Sequence, residues 1–430
     1  MSQFDHILKD QIEKVSLRLH EMGRDDLILL FKNCYPNTLE TTTKILDDGS
    51  AFVITGDIHA MWLRDSAAQV HHYLPVAREN PELADIIEKM INRYSIYLTK
   101  DPYANAFNEN GDDPNRGAIE DITFRSPWVW ERKYEVDSLC SVLFIAYKFW
   151  KKVGRTSHFT AAFKNSMNII LDLWETEQYH AEKSTYTFER PNPWKSSDTM
   201  TRGGKGEPVG YTGMTWSAFR PSDDACIYNY LIPSEMYAVV TLGYAAEIAE
   251  EIYQDSELAA RCRKLASEID EGIQKFGIVE DPDFGKIYAY ETDGLGNYNL
   301  MDDANVPSLL SIPYIGYRDK EDPIYQNTRR FILSKKNPYY YEGKILHGIG
   351  SPHTNPDCVW PIALVLQGLT TDNQDEIEEI LSMLVASHDN TFFMHESIHV
   401  DNPHDFSRTW FAWANSIFSE LVLKYAGFEI

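Results

Sequence analysis

The sequence predicts an all-α chain in which helical hairpins close into a toroid, and three observations predict it. Apolar residues recur at helical spacing from one end of the chain to the other. Alternation of β-branched residues is scarce and short, so strands are a minor component. Long loops rich in Gly, Pro, Asn, Asp and aromatic residues separate the helical runs. Paired helices with elaborate loops gathered on one face account for all three in a single domain, residues 1–430. Length alone would suggest two or three domains. No flexible linker, low-complexity tract or fixed-period repeat divides the chain, however.

In chain order, "HILKDQIEKVSLRL" places Ile7, Leu8, Ile12, Val15, Leu17 and Leu19 at helical spacing, and "WLRDSAAQVHHYL" does the same with Leu63, Ala67, Val70 and Leu74. Further amphipathic runs are expected near 82–98, 134–152, 158–175, 233–253, 256–275, 357–369, 374–387 and 407–426. Pro233, followed by Ser234 and Glu235, suits a first helical turn. In the last run Trp410, Trp413, Ile417, Leu421 and Tyr425 form one stripe, with Asp405 or Ser407 placed to cap it. The loops fall at 99–131, 186–232, 277–305 and 388–406, and the two short strand-like runs are "AFVIT" and "GKIYAY".

Composition excludes several functions. Acidic residues outnumber basic ones 65 to 40, for a net charge of −25, and no basic patch offsets it, so neither nucleic acid nor an anionic membrane surface is an expected partner. No apolar run reaches the roughly 18 residues of a membrane span. The N-terminal stretch lacks a basic region leading into an apolar one, so a cytoplasmic protein is expected. Cys34, Cys140, Cys226, Cys262 and Cys358 are odd in number, with no C-x-x-C pair, and read as free thiols.

The loops carry the chemistry-bearing residues. Trp128, Trp130, Trp194, Trp216 and the run Tyr339–Tyr341 sit among Asp, Asn, Arg and His, a mixture suited to a sugar: rings pack on its C–H faces while polar groups bind its hydroxyls. "HESIH" matches the H-E-x-x-H zinc motif through His395, Glu396 and His399. The motif needs a helix that puts both histidines on one face. The flanks here are β-branched and aromatic, then broken by Asn402 and Pro403. His404 arrives one residue early for the extended form, and no glycine intervenes. The match is read as coincidental, with no metal expected. Glu396, in a loop before the last helix, then fits a general base.

A partner carboxylate lies in "FRPSDDA". Adjacent Asp223 and Asp224 repel one another, so one can retain a proton and serve as a general acid; the doublet leaves open which. A third cluster, Asp57, His59, Trp62, Arg64 and Asp65, stands at a helix start, where Arg64 and Asp65 could hold adjacent hydroxyls of one sugar ring. "TRGGKGEPVG" lacks the phosphate-loop spacing, and "GIGSPHT" is not a nucleophile elbow.

The blocks "GDIHAMWLRDSAAQV", "TWSAFRPSDDA…YLIPSEMYAV", "MDDANVPSLLSIPYIGY", "HGIGSPHT" and "HESIHVDNPHDFSRTWFAWANSIFSELVL" resemble the signature blocks of glycoside hydrolase family 125, in the family's order. The resemblance implies an (α/α)6 barrel and an exo-acting α-1,6-mannosidase that inverts the anomeric carbon without metal or cofactor. It also implies Asp223 as general acid and Glu396 as general base. Trp62, Arg64, Asp65, Arg220, Asp302 and His353 lie in matching blocks and are expected to contact the terminal mannose of a short oligosaccharide or N-glycan fragment. Three other readings are open to the residues: another six-hairpin sugar enzyme, such as an epimerase or glucosidase; a zinc peptidase using His395, Glu396 and His399; and a sugar-binding protein without catalysis.

Overall fold

Two kinds of helix alternate along the chain. The computed structural model describes residues 5–112, 120–124 and 126–430. In it helices apolar on nearly every side form an inner ring, and helices with a single apolar stripe surround them. Ala412–Tyr425 is of the first kind: every residue from Ala412 to Leu423 is buried. Its buried serines are satisfied within the helix, Ser416 donating to the Ala412 carbonyl and Ser419 to that of Asn415. Ser256–Phe276 is of the second kind, burying Leu258, Ala259, Cys262, Leu265, Ile269, Gly272 and Ile273 along one stripe. Asp255 caps it by accepting the Leu258 N–H at 2.9 Å.

The inner ring runs through Leu63–His71, Val136–Val153, Ile232–Glu251 and the single turn Ile312–Ile315, each packed on the one before. Pro361–Leu369 packs on Ala412–Tyr425, which closes the ring on Leu63–His71. Each of the first five inner helices is followed in sequence by an outer one: Pro81–Leu98, Ala161–Glu177, Ser256–Phe276, Pro323–Ile332 and Gln374–Ser387. Asp25–Cys34 packs outside the last inner helix and completes the set. This is the (α/α)6 arrangement.

The runs expected from sequence form helices, with four differences. The run from 357 turns helical only at Pro361, Cys358–Val359 being a strand. Asp25–Cys34 was not expected, because the unbroken apolar run from Leu27 to Phe31 masks its period. Pro323–Ile332 was missed although Asp322 caps it and Pro323 occupies its first turn. The last helix starts at Ala412, not near 407; Asn402–Ser407 is a strand paired with Ser397–His399, so Asp405 and Ser407 do not cap it. "AFVIT" and "GKIYAY" supply the strands Ala51–Val53 and Gly285–Tyr288. Part of the 99–131 loop, residues 113–119 and 125, lies outside the described residues. Among the described residues no helix is long and apolar enough to cross a membrane.

This wiring decides where a site can form. A hairpin of inner and outer helices puts every inner N-terminus at the same end, and the long loops precede the inner helices there. The partial positive charge of those termini favours carboxylates. Asp65, Asp137 and Glu235 lie in first turns of three of them.

Candidate active site

A narrow cleft opens at that end, lined by Trp62, Arg64, Asp65, Ser222, Asp223, His353 and Glu396 together with Thr55, Ile58, Pro221, Asn305, Trp360, Arg408, Phe411 and Trp413. Both expected catalytic carboxylates and four of the six expected sugar contacts are therefore neighbours, though they come from loops far apart in sequence.

Asp223 is presented by a tight turn. The Asp223 N–H donates to the Arg220 carbonyl at 2.9 Å, the Arg220 N–H donates to the Asp224 carbonyl at 2.8 Å, and Phe219 bridges Ala225. Pro221 holds the position where its fixed φ favours such a turn. The turn closes only if Asp223 is left-handed, with φ of 66°, a conformation glycine adopts freely and aspartate adopts at a cost. The geometry divides the doublet. Asp223 faces the cleft, whereas Asp224 is 1% exposed and accepts from Ser197 at 3.0 Å and lies 3.3 Å from the His353 ring. His353 is pulled down by burial but held above its ordinary pKa by Asp224, with Asp223 and Glu396 contributing. Its loop is pinned by Lys195, whose ammonium donates to the carbonyls of Pro352, His353 and Thr354, each at 2.9 Å.

Behind Asp223 lies a crowded buried network. Arg64 reaches Glu135 at 2.5 Å, Asp137 at 3.1 Å, Asp65 at 3.4 Å and Asp223 at 3.8 Å. Lys133, also buried, donates to Asp198 and to the Asp223 carbonyl at 2.8 and 2.7 Å. Burial raises the Asp65 carboxyl against the pull of Arg64, and Thr55 donates a hydrogen bond to it.

Glu396 sits in a plainer setting, just before the strand Ser397–His399. One carboxylate oxygen accepts from the Ser407 hydroxyl at 2.9 Å, and the other lies 3.5 Å from the Arg408 guanidinium. Arg408 also pairs with Asp57 and rests over the Phe411 ring at 4.3 Å. The strand pairing, not a helix, carries H-E-x-x-H. His395 is fully buried, stacked on Phe406 and bonded to the Arg408 carbonyl, so the two histidines do not share a helix face.

Two expected sugar contacts fall outside that lining. Arg220 is 3% exposed and its Nε donates to buried Glu291 at 2.6 Å, which ties the Asp223 turn to the neighbouring sheet. Asp302 is fully buried and accepts the N–H groups of Leu309 and Leu310 at 2.8 and 3.0 Å, shaping the turn before Ile312–Ile315. Sequence reading missed Asn105, Lys133, Glu135, Asp137, Asn305, Ser407 and Arg408. Only "EVD", an acid pair at a helix start, could have flagged any of them, and it reads equally as first-turn capping.

The model of a family described as metal-independent α-mannosidases, glycoside hydrolase family 125, matches residues 24–423. A Schizosaccharomyces pombe protein, the meiotically up-regulated gene 157 protein, is 40% identical over 436 residues, 97% of this chain and 85% of that one. The structure of a metal-independent α-mannosidase from Streptococcus pneumoniae, in a non-productive complex with α-1,6-mannobiose, superposes with a TM-score of 0.95 at 47% identity over 99% of each chain. Glucoamylase from Saccharomycopsis fibuligera superposes at 0.55 with 13% identity, over 95% of this chain and 94% of that one, and shares the fold.

Proposed function

The chain belongs to the metal-independent α-mannosidases of glycoside hydrolase family 125, and from that premise we propose that it removes non-reducing terminal α-1,6-linked mannose from short oligosaccharides or N-glycan fragments, inverting the anomeric carbon. The observation that carries this reading is that Asp223 and Glu396 line one cleft in contrasting environments. The Streptococcus pneumoniae relative, with its bound α-1,6-mannobiose and its described part in N-linked glycan processing, supports the substrate class.

Asp223 protonates the bridging oxygen as the C–O bond breaks, while Glu396 takes a proton from a water that attacks the anomeric carbon from the other face. Inversion asks for a separation of roughly 6.5–9.5 Å, enough for that water between carboxylate and sugar. Arg408 and Ser407 keep Glu396 oriented, and Trp62, Trp360, Trp413 and Phe411 wall the cleft with rings on which a sugar's C–H faces pack. Arg64, Asp65 and His353 are placed to bind its hydroxyls. Incubating purified enzyme with α-1,6-mannobiose tests the reading: free mannose is expected with EDTA present, and an untouched disaccharide would refute it.

A further inference from the structure

Glu135, which no part of the mechanism above uses, lies directly behind the acid. It is 1% exposed, and one carboxyl oxygen meets Arg64 at 2.5 Å and the Ser138 hydroxyl at 2.8 Å. The other oxygen accepts from the Asn105 amide at 3.3 Å, and that same amide group reaches the Asp223 carboxyl at 3.5 Å. Arg64 likewise spans both residues. Glu135 and Asp223 thus share two donors, Asn105 and Arg64, which hold the two carboxyls side by side. Two buried carboxyls so held repel one another unless one of them keeps a proton.

The surrounding charge demands that proton. Four carboxylates surround the Arg64 guanidinium within 3.8 Å. The next cation, Lys133, is occupied by Asp198 and Glu131, which Arg190 also faces, and on its far side Asp223 looks toward His353, itself held by Asp224. Ionising every carboxylate would strand buried negative charge.

We propose that Glu135 is the positioning residue of the acid arm, holding for Asp223 the single proton that the two carboxyls share and returning to carboxylate on Arg64 as Asp223 delivers it. The inference rests on Asp223 being the general acid. Burial, with Asp223 and Asp137 alongside, keeps Glu135 well above the ordinary carboxyl range despite Arg64. At Asp223 burial is outweighed by Lys133 and Arg64, which hold it below. The pair therefore binds one proton as a unit. In a turnover the Glu135 O–H breaks as the Asp223 O–H forms. The Asp223 proton then passes to the bridging oxygen, which keeps the C–O electron pair. Two adjacent carboxylates remain, and their repulsion draws a proton back from solvent, matching the one Glu396 releases.

The test is the pH profile of kcat/KM for Glu135→Gln, on α-1,6-mannobiose and on 2,4-dinitrophenyl α-mannoside, whose leaving group needs no proton. On mannobiose the basic limb is expected to move to lower pH by about one unit or more, because Asp223 alone gives up its proton sooner than the pair does. The dinitrophenyl substrate is expected to stay near the wild-type rate. An unmoved limb, or equal losses on both substrates, would overturn the inference and leave Glu135 a structural residue. Glu135→Asp, which keeps a carboxyl able to share the proton, is expected to hold the limb near its wild-type position. A limb displaced there would also overturn the inference, even were Glu135→Gln not to fold. Asp223→Asn measured alongside separates the two readings. Full turnover of mannobiose by it would refute the acid assignment and this inference together. Its loss beside an unmoved Glu135→Gln limb would refute this inference alone.

Discussion

The two carboxylates proposed as acid and base are held by opposite means. Asp223 stands on a strained turn, with φ of 66°, against a buried network in which several carboxylates compete for Arg64 and Lys133. Glu396, itself outside the left-handed region, stands just before a strand with one hydroxyl and one guanidinium for company. The contrast matches the work. In the proposed roles an acid needs a proton held close by, which crowding around Arg64 keeps on Glu135, and a base needs an oriented carboxylate, which Ser407 and Arg408 provide.

The largest effects are expected from removing either arm. Glu396→Gln and Asp223→Asn should each lower turnover of mannobiose by about 10²–10⁴-fold with thermal midpoint and far-UV circular dichroism unchanged. The comparison sharpens on dinitrophenyl α-mannoside, where Asp223→Asn should recover and Glu396→Gln should not. Equal recovery would mean that the roles are misassigned. Next in size, Arg408→Met should cost roughly ten-fold or more in kcat, the scale of one charge-assisted hydrogen bond. A change in KM alone would place Arg408 on the substrate instead of the base.

Smaller effects concern stability. Asp223→Gly removes the strain of the acid's turn, worth up to about 1 kcal/mol, so it should abolish turnover while holding or raising the thermal midpoint. A fall of several degrees would deny that the strain serves the chemistry. Finally, His353 is held above its ordinary pKa by Asp224, and Asp224 is held below its own, burial notwithstanding, by His353 and Arg220. The His353 contribution is full below its unfolded value near 6.5 and is lost as pH rises through the higher folded value. That of Asp224 is present above its ordinary value near 3.9 and is lost as pH falls through the lower folded one. The destabilisation caused by His353→Gln, followed by thermal melts, should therefore be largest in mildly acidic buffer and shrink as pH rises past neutrality. A constant difference would show that the imidazole carries no charge there.

The helical ring was legible because its amphipathic outer members advertise their period, as Ser256–Phe276 does. Asp25–Cys34 was not, since a continuous apolar run has no readable phase. Asp223 and Glu396, the proposed acid and base, were legible as carboxylates in polar, aromatic loops and as parts of family blocks. Which of Asp223 and Asp224 meets the cleft depended on one left-handed residue, which composition does not reveal. Arg220 and Asp302 share the blocks of the site residues but turn inward, because the same loops that present a catalytic group must also anchor it. Glu135 and Lys133 were illegible for a related reason: their partners Asp223, Asp198 and Arg64 come from other loops, and only the closed ring brings them together.

The account stands or falls on stereochemistry. Proton NMR of the first minutes of α-1,6-mannobiose hydrolysis reads the anomer released from the non-reducing unit before mutarotation. β-Mannose appearing first is the result expected of Asp223 as acid and Glu396 as base across one water. α-Mannose appearing first would mean retention, and with it a nucleophile where a base has been placed.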